Sequence, residues 1–182
     1  GQGYLLVTPL QLASATATLA MGGRRFQPRV VHALEDPALR RITELPPVPL
    51  PTVAAPDRRI FDYLTAFMTH VVHSERGTAF RAVGKSSAYR IAGKTGTAQV
   101  FTIGQNERYD ASRLKDELLD HALFVAFAPA EAPRIAVAVI AENGGHGGSV
   151  AAPLAKKVMD ACLLPPNGPG APVAAASGTP PP

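Results

Sequence analysis

Residues 92–100 read Ala-Gly-Lys-Thr-Gly-Thr-Ala-Gln-Val, so a lysine, two threonines and a glycine alternate across Lys94, Thr95, Gly96 and Thr97. Extended chain sends successive side chains to opposite faces. A strand here therefore puts Thr95 and Thr97 on one face, and Gly96 between them lets another backbone approach closely. Such a strand suits a carboxylate-ended peptide at its edge, with the Lys94 cation close by. The same letters also match the end of a phosphate-binding loop, Gly-x-x-x-x-Gly-Lys-[Ser/Thr]. That motif needs its first glycine at position 88, which holds Ala88, and Tyr89 and Ile91 favour a strand where the loop should curl. A nucleotide-binding loop is thereby the weaker reading.

The chain has 182 residues, about the size of one domain, with 46% hydrophobic and 18% charged residues. That balance suits a globular domain and argues against wholesale disorder. The net charge of +4 is scattered, and aromatic residues do not interleave with basic ones, so no nucleic-acid footprint is present. Cys162 is the single cysteine, which leaves no partner for an internal disulfide. No apolar run approaches the roughly 18 residues that span a bilayer, and there is no signal peptide. Gly1 stands first, which reads as a piece of a longer chain with its targeting segment upstream.

Along the chain, Thr8-Pro9-Leu10-Gln11 opens a helix. Thr8 is the cap, Pro9 suits the first helical position, and Gln11 stands where a capping box wants its amide. Leu12, Thr16, Leu19 and Ala20 recur at helical spacing until Gly22-Gly23 stops the helix. Residues 26–31 read as a short strand, and the proline-rich run 46–51 as an extended connection without regular structure. Asp57 is placed to cap a second helix whose apolar face would be Ile60, Leu64, Phe67 and Val71. The Lys-Thr-Gly strand follows and is read as continuing through Val100 and Phe101. Residues 121–128 and 134–140 are short continuous apolar runs, suited to buried strands joined as an antiparallel hairpin through 129–133. Val150, Leu154, Val158 and Cys162 form the stripe expected of a terminal helix. The organisation predicted is α/β of the α+β kind, an antiparallel sheet flanked by helices over residues 1–164, with the Lys-Thr-Gly strand at or near an edge. The Pro, Gly and Ala stretch 165–182 is read as a disordered tail.

Four stretches together resemble the transpeptidase domain of class B penicillin-binding proteins, closest to the elongation-type penicillin-binding protein 2 group. They are Gly1-Gln2-Gly3-Tyr4 with Thr8-Pro9-Leu10-Gln11, then Gly77-Thr78-Ala79, then residues 91–101, and last Asp120-His121 through Phe127-Ala128-Pro129 with Glu142-Asn143-Gly144-Gly145. The resemblance implies part of the fold shared with serine β-lactamases. It also implies a peptidoglycan D,D-transpeptidase that cross-links D-Ala-D-Ala stem peptides through a serine acyl-enzyme and that β-lactams acylate. No cofactor and no metal enter that chemistry. The implied setting is the periplasmic face of the bacterial inner membrane, held by an upstream anchor, with a membrane glycosyltransferase and elongation-complex proteins as partners.

That family builds its site from Ser-x-x-Lys, Ser-x-Asn and Lys-[Thr/Ser]-Gly. This chain contains no Ser-x-Asn, and its one Ser-x-x-Lys, Ser112-Arg113-Leu114-Lys115, follows Lys94 in a polar segment instead of preceding it at the start of a buried helix. No nucleophile is therefore assigned here, and the piece is expected to be inactive and poorly soluble alone. On the family's pattern Lys94 supplies positive charge near the serine and its base. Thr95 and Thr97 grip the terminal carboxylate of the stem peptide, and the Thr97 N–H gives half of an oxyanion hole. Gly96 keeps the edge clear for an added strand.

Other residues carry plainer readings. His70 and His73 lie three apart on a helix, a spacing metals use, yet no ligand partner sits at a recognisable interval, so they read as a solvated helix end. His146 belongs to a glycine-rich turn, His121 is a hydrogen-bonded structural histidine, and Arg108 and Tyr109 are candidates to border a cleft. A non-catalytic penicillin-binding-like sensor or assembly module is the alternative function. A serine β-lactamase and a nucleotide hydrolase rank below it.

Overall fold

The computed structural model describes residues 6–99 and 119–164. Three strands build the central sheet: β5 (Ala92–Ala98), β6 (His121–Ala128) and β7 (Ile135–Ala141), all antiparallel in the order β5-β6-β7. Helices α1 (Pro9–Ala20) and α2 (Arg59–His73) cover one face, and α3 (Ala151–Leu163) covers the other. Phe127 meets Leu19, Ala20 and Met68 on the first side, while Phe124 meets Ala152, Ala155 and Met159 on the second. Strand parity produces this, because neighbours on β6 face opposite ways. Both phenylalanines are fully buried, as a strand sandwiched between two helical layers requires.

α1 begins as its sequence predicts. Gln11 N–H donates to Thr8 Oγ1 at 3.2 Å and Thr8 N–H donates to Gln11 Oε1 at 2.8 Å, a complete capping box. Gly22 and Gly23 take positive φ values of 62° and 91° just beyond the helix, a backbone that side-chained residues rarely adopt.

Several local expectations are corrected. The strand expected over residues 26–31 shrinks to β1 (Arg25–Phe26). It pairs with β4 (Pro49–Leu50), so the proline-rich connection does contribute regular structure at one edge. Between them β2 (Ala33–Asp36) and β3 (Arg41–Glu44) form a separate antiparallel ribbon. Asp57 accepts a hydrogen bond from Arg59 N–H at 2.9 Å but sits one residue ahead of the cap position. The apolar faces assigned to α2 and α3 are mostly exposed, and only their Val71 and Val150 are half-buried. Phe67 is 66% exposed and Val158 48%, whereas Thr69 and Val72 on α2, and Ala151, Ala152, Ala155 and Met159 on α3, are buried. Cys162 is exposed as well. Alanines take three of the four buried places on α3. The continuation of β5 through Val100 and Phe101 and the tail 165–182 lie outside the described residues.

Two contacts fix β5 on its neighbours. A Cβ on Gly93 would stand 2.5 Å from Cζ of the buried Phe124 ring, so only glycine fits there. At the start of the strand, the fully buried Ile91 donates its N–H to His73 Nε2 at 2.9 Å, tying the end of α2 to β5. His73 is thus a half-buried acceptor and not part of a solvated helix end; His70 alone is exposed. On the far side of the strand start, Tyr89 donates its hydroxyl to Asp160 Oδ1 at 2.7 Å, and Lys156 meets Asp160 Oδ2 at 2.5 Å. This links α3 to the segment that enters β5.

Two outcomes follow for the full-length protein in chemical denaturation. Gly93→Ala should cost about 1–3 kcal/mol, the usual penalty for overpacking a filled core. Burial first, then the Arg90 charge, hold the His73 pKa below its ordinary 6.5, against a smaller opposing pull from Glu131. The unfolded chain then takes up the proton first, so stability should fall as pH drops from about 6.5 through the folded value. His73→Gln, which keeps an acceptor without titrating, should flatten that slope, and an unchanged slope would refute the assignment.

Candidate functional site

β5 pairs with β6 on one side only among the described residues, and the register sets Lys94 opposite Val125, Thr95 opposite Phe124, Gly96 opposite Leu123 and Thr97 opposite Ala122. Phe124 and Ala122 face α3, so the Thr95 and Thr97 side chains share that face, and Lys94 and Gly96 take the other.

The direction of the backbone groups follows from Gly147. A Cβ built there would lie 2.2 Å from Leu123 O and 2.6 Å from Gly96 O. One point is that near both oxygens only if both lie between the strands. Gly96 and Leu123 therefore form a hydrogen-bonded pair of the ladder. Antiparallel alternation then turns the N–H and C=O groups of Thr95 and Thr97 outward, to the open edge. Lys94 agrees with this: its exposed side chain curls along the edge and Nζ donates to Thr95 O at 2.7 Å. Among the described residues no carboxylate stands within ion-pair distance of Lys94.

The strand thus brings together what the sequence predicts. It offers backbone donors and acceptors along one open edge, two half-buried hydroxyls on one face, and a cation with no ion-pair partner among the described residues. Chemically, that is a template for an extended peptide with a negative end. The role of Gly96 is partly structural. A Cβ there would stand 3.2 Å from Leu123 Cβ, tight but not excluded, whereas the Gly147 backbone lies directly against the Gly96 peptide from the α3 side.

Three residues given no role in the sequence reading join the site. Thr78 Oγ1 lies 3.1 Å from Thr95 Oγ1. Gly148 backs both, since a Cβ on it would be 2.4 Å from Thr78 O and 3.5 Å from Thr95 Cγ2. Gly147 completes the set. Their signal was in plain view, in Gly77-Thr78-Ala79 and in the glycine run 144–148, but only folding shows that these loops converge on Thr95. His121 is the structural histidine its place suggests, with Nδ1 accepting from Asn143 N–H at 3.0 Å. His146 is exposed in its turn. The Ser112–Lys115 motif, Arg108, Tyr109 and Gly1-Gln2-Gly3-Tyr4 lie outside the described residues. The grooves along α1, lined by Leu10, Ser14, Thr18 and Pro28, do not include the Lys94–Thr97 segment.

Comparison with known proteins bears on this arrangement. A family model described as "Penicillin binding protein transpeptidase domain" matches residues 1–160. The chain is 43% identical over 160 residues to the peptidoglycan D,D-transpeptidase MrdA of Haemophilus influenzae, covering 88% of this chain and 24% of that protein. It therefore spans about a quarter of the length of that relative. Among solved structures, Pseudomonas aeruginosa PBP2 in complex with WCK 5153 is similar at 46% identity and a TM-score of 0.70, over 91% of this chain and 31% of that one. Penicillin-binding protein A of Mycobacterium tuberculosis, as its penicillin G acyl-enzyme complex, is similar at 33% identity and a TM-score of 0.65, over 90% of this chain and 33% of that one. The mixed helix and antiparallel-sheet fold is that of these transpeptidase domains. By this match over most of its length, the chain belongs to the penicillin-binding protein transpeptidase family.

Proposed function

We propose that these residues are the substrate-gripping part of a peptidoglycan D,D-transpeptidase that works through a serine acyl-enzyme and is acylated by β-lactams. The observation that carries the reading is the open edge of β5. Its outward Thr95 and Thr97 backbone groups, paired hydroxyls and Lys94 ammonium match a carboxylate-ended D-Ala-D-Ala strand. Names of relatives support it, since MrdA of H. influenzae is a D,D-transpeptidase and the M. tuberculosis protein forms a penicillin G acyl-enzyme.

In this reading the stem peptide adds to β5 as a further strand, and the hydroxyls of Thr95 and Thr97 hold its terminal carboxylate. The Thr97 N–H points at the carbonyl oxygen of the penultimate D-Ala and stabilises the oxyanion. A serine contributed by the part of the family's domain outside these 182 residues attacks that carbonyl and passes its proton to a base. The C–N bond then breaks, and the terminal D-Ala leaves as a protonated amine. An amine from a second stem peptide attacks the resulting ester, forms the cross-link and frees the serine. Lys94 favours the negative charge that develops at each stage. A β-lactam presents a carboxylate and a strained amide in the same arrangement. We place this chemistry on the periplasmic face of the inner membrane, with a membrane glycosyltransferase and elongation-complex proteins as partners of the whole enzyme; the resemblance to the elongation-type group supports this.

A fluorescent penicillin should label the full-length protein covalently, and Lys94→Ala should slow acylation on the order of 10²–10³-fold, the range for losing one electrostatic stabiliser. The 182 residues alone should remain unlabelled. Labelling mapped to Ser112 would overturn the assignment of the serine, and no labelling of the full-length protein would overturn the function.

A further inference from the structure

Thr95 carries one proton, and its hydroxyl has two demands on it. A carboxylate is acceptor-only, so Thr95 must donate to any carboxylate it holds. Its 3.1 Å contact with Thr78 Oγ1 must then run the other way, with Thr78 as donor. We propose that Thr78 is a positioning residue for carboxylate-bearing ligands. Its hydroxyl donates to Thr95 Oγ1, turns the single Thr95 proton to the open edge, and polarises it. This rests on the transpeptidase reading above.

The surroundings of Thr78 hold it in place. Gly77 N–H donates to Ser74 O at 2.7 Å, and Ala79, fully buried, donates its N–H to Val71 O at 3.1 Å. Neither neighbour leaves room to shift. A Cβ on Gly77 would stand 2.3 Å from Val71 O, and one on Gly148 would stand 2.4 Å from Thr78 O. The loop between α2 and β5 and the loop before α3 thus clamp Thr78 from two sides. Its side chain is nonetheless exposed, at the rim where a ligand arrives. Chained hydroxyls strengthen one another, because each donor polarises the next. A water in place of Thr78 would satisfy the Thr95 lone pair equally well but would not fix its direction.

A merely structural Thr78 would affect all substrates alike, so the test separates ligands by charge. Second-order acylation rates of the full-length protein are measured with benzylpenicillin and with its methyl ester, which lacks the anionic carboxylate. Thr78→Val should lower the rate with benzylpenicillin about tenfold, the worth of one hydrogen bond, and lower the rate with the ester clearly less, because its neutral carbonyl accepts a weaker hydrogen bond. Thr78→Ser, which restores the donor, should recover the wild-type rate. In a Thr95→Val background, Thr78→Val should cause no further loss. An equal loss on both ligands, a penicillin rate within twofold of wild type, or Thr78→Ser behaving as Thr78→Val would each overturn the proposal. The wild-type protein keeps the two readings apart. If benzylpenicillin fails to acylate it, the transpeptidase reading falls and takes this proposal with it; if it is acylated, only the Thr78 variants decide.

Discussion

The pairing of Gly96 with Leu123 decides what the open edge of β5 can offer. Because that pair exchanges its hydrogen bonds inside the sheet, Thr95 and Thr97 must present theirs outside it. A slip of one residue would turn those groups inward and carry both hydroxyls to the face of α1 and α2. The chemistry of the site is therefore a consequence of register, and register is held by features that do not touch a ligand. Gly93 accepts the Phe124 ring, Gly147 seats on the ladder at Gly96, and the buried phenylalanines oppose any exchange of faces.

The clamp extends outward in two directions. Toward α2, His73 takes the Ile91 N–H and fixes where β5 begins. Toward α3, Tyr89 and Lys156 converge on Asp160, and burial together with that carboxylate pushes the Tyr89 phenol well above its ordinary range. Tyr89 thus stays protonated and remains a donor at every physiological pH. One strand is anchored to both helical layers within a few residues of its start. Its far end carries the hydroxyls to the edge.

What the sequence made legible was what local chemistry decides. The capping box at Thr8 and Gln11 is complete within four residues, so it reads correctly without any tertiary knowledge. The apolar runs behind β6 and β7 had no amphipathic alternative, and the alternation of Lys94, Thr95, Gly96 and Thr97 fixed their faces once a strand was granted. On α2 and α3 the large apolar residues do not mark the buried face. On α3 Leu154 and Val158 of the stripe are exposed, whereas Ala151, Ala152, Ala155 and Met159 are buried. His73 and Thr78 were illegible for another reason. Each acts on a residue 17 or 18 positions away, through a contact that no local pattern encodes.

An open strand edge is also a hazard, since any extended chain can pair with it. Lys94 answers that hazard by lying along the edge. Its ammonium covers Thr95 O, one of the acceptors an incoming strand needs. That contact is exposed, so water competes for the ammonium and its net contribution is small. A neutral strand displaces it and leaves the ammonium to return to water, gaining little. A strand that ends in a carboxylate offers the displaced ammonium an opposite charge, which adds Coulombic attraction to the hydrogen bond. The balance is unfavourable or neutral for stray peptides and favourable for anionic ones. Any preference of this edge for a carboxylate-ended strand then begins with the Lys94 side chain that lies along it.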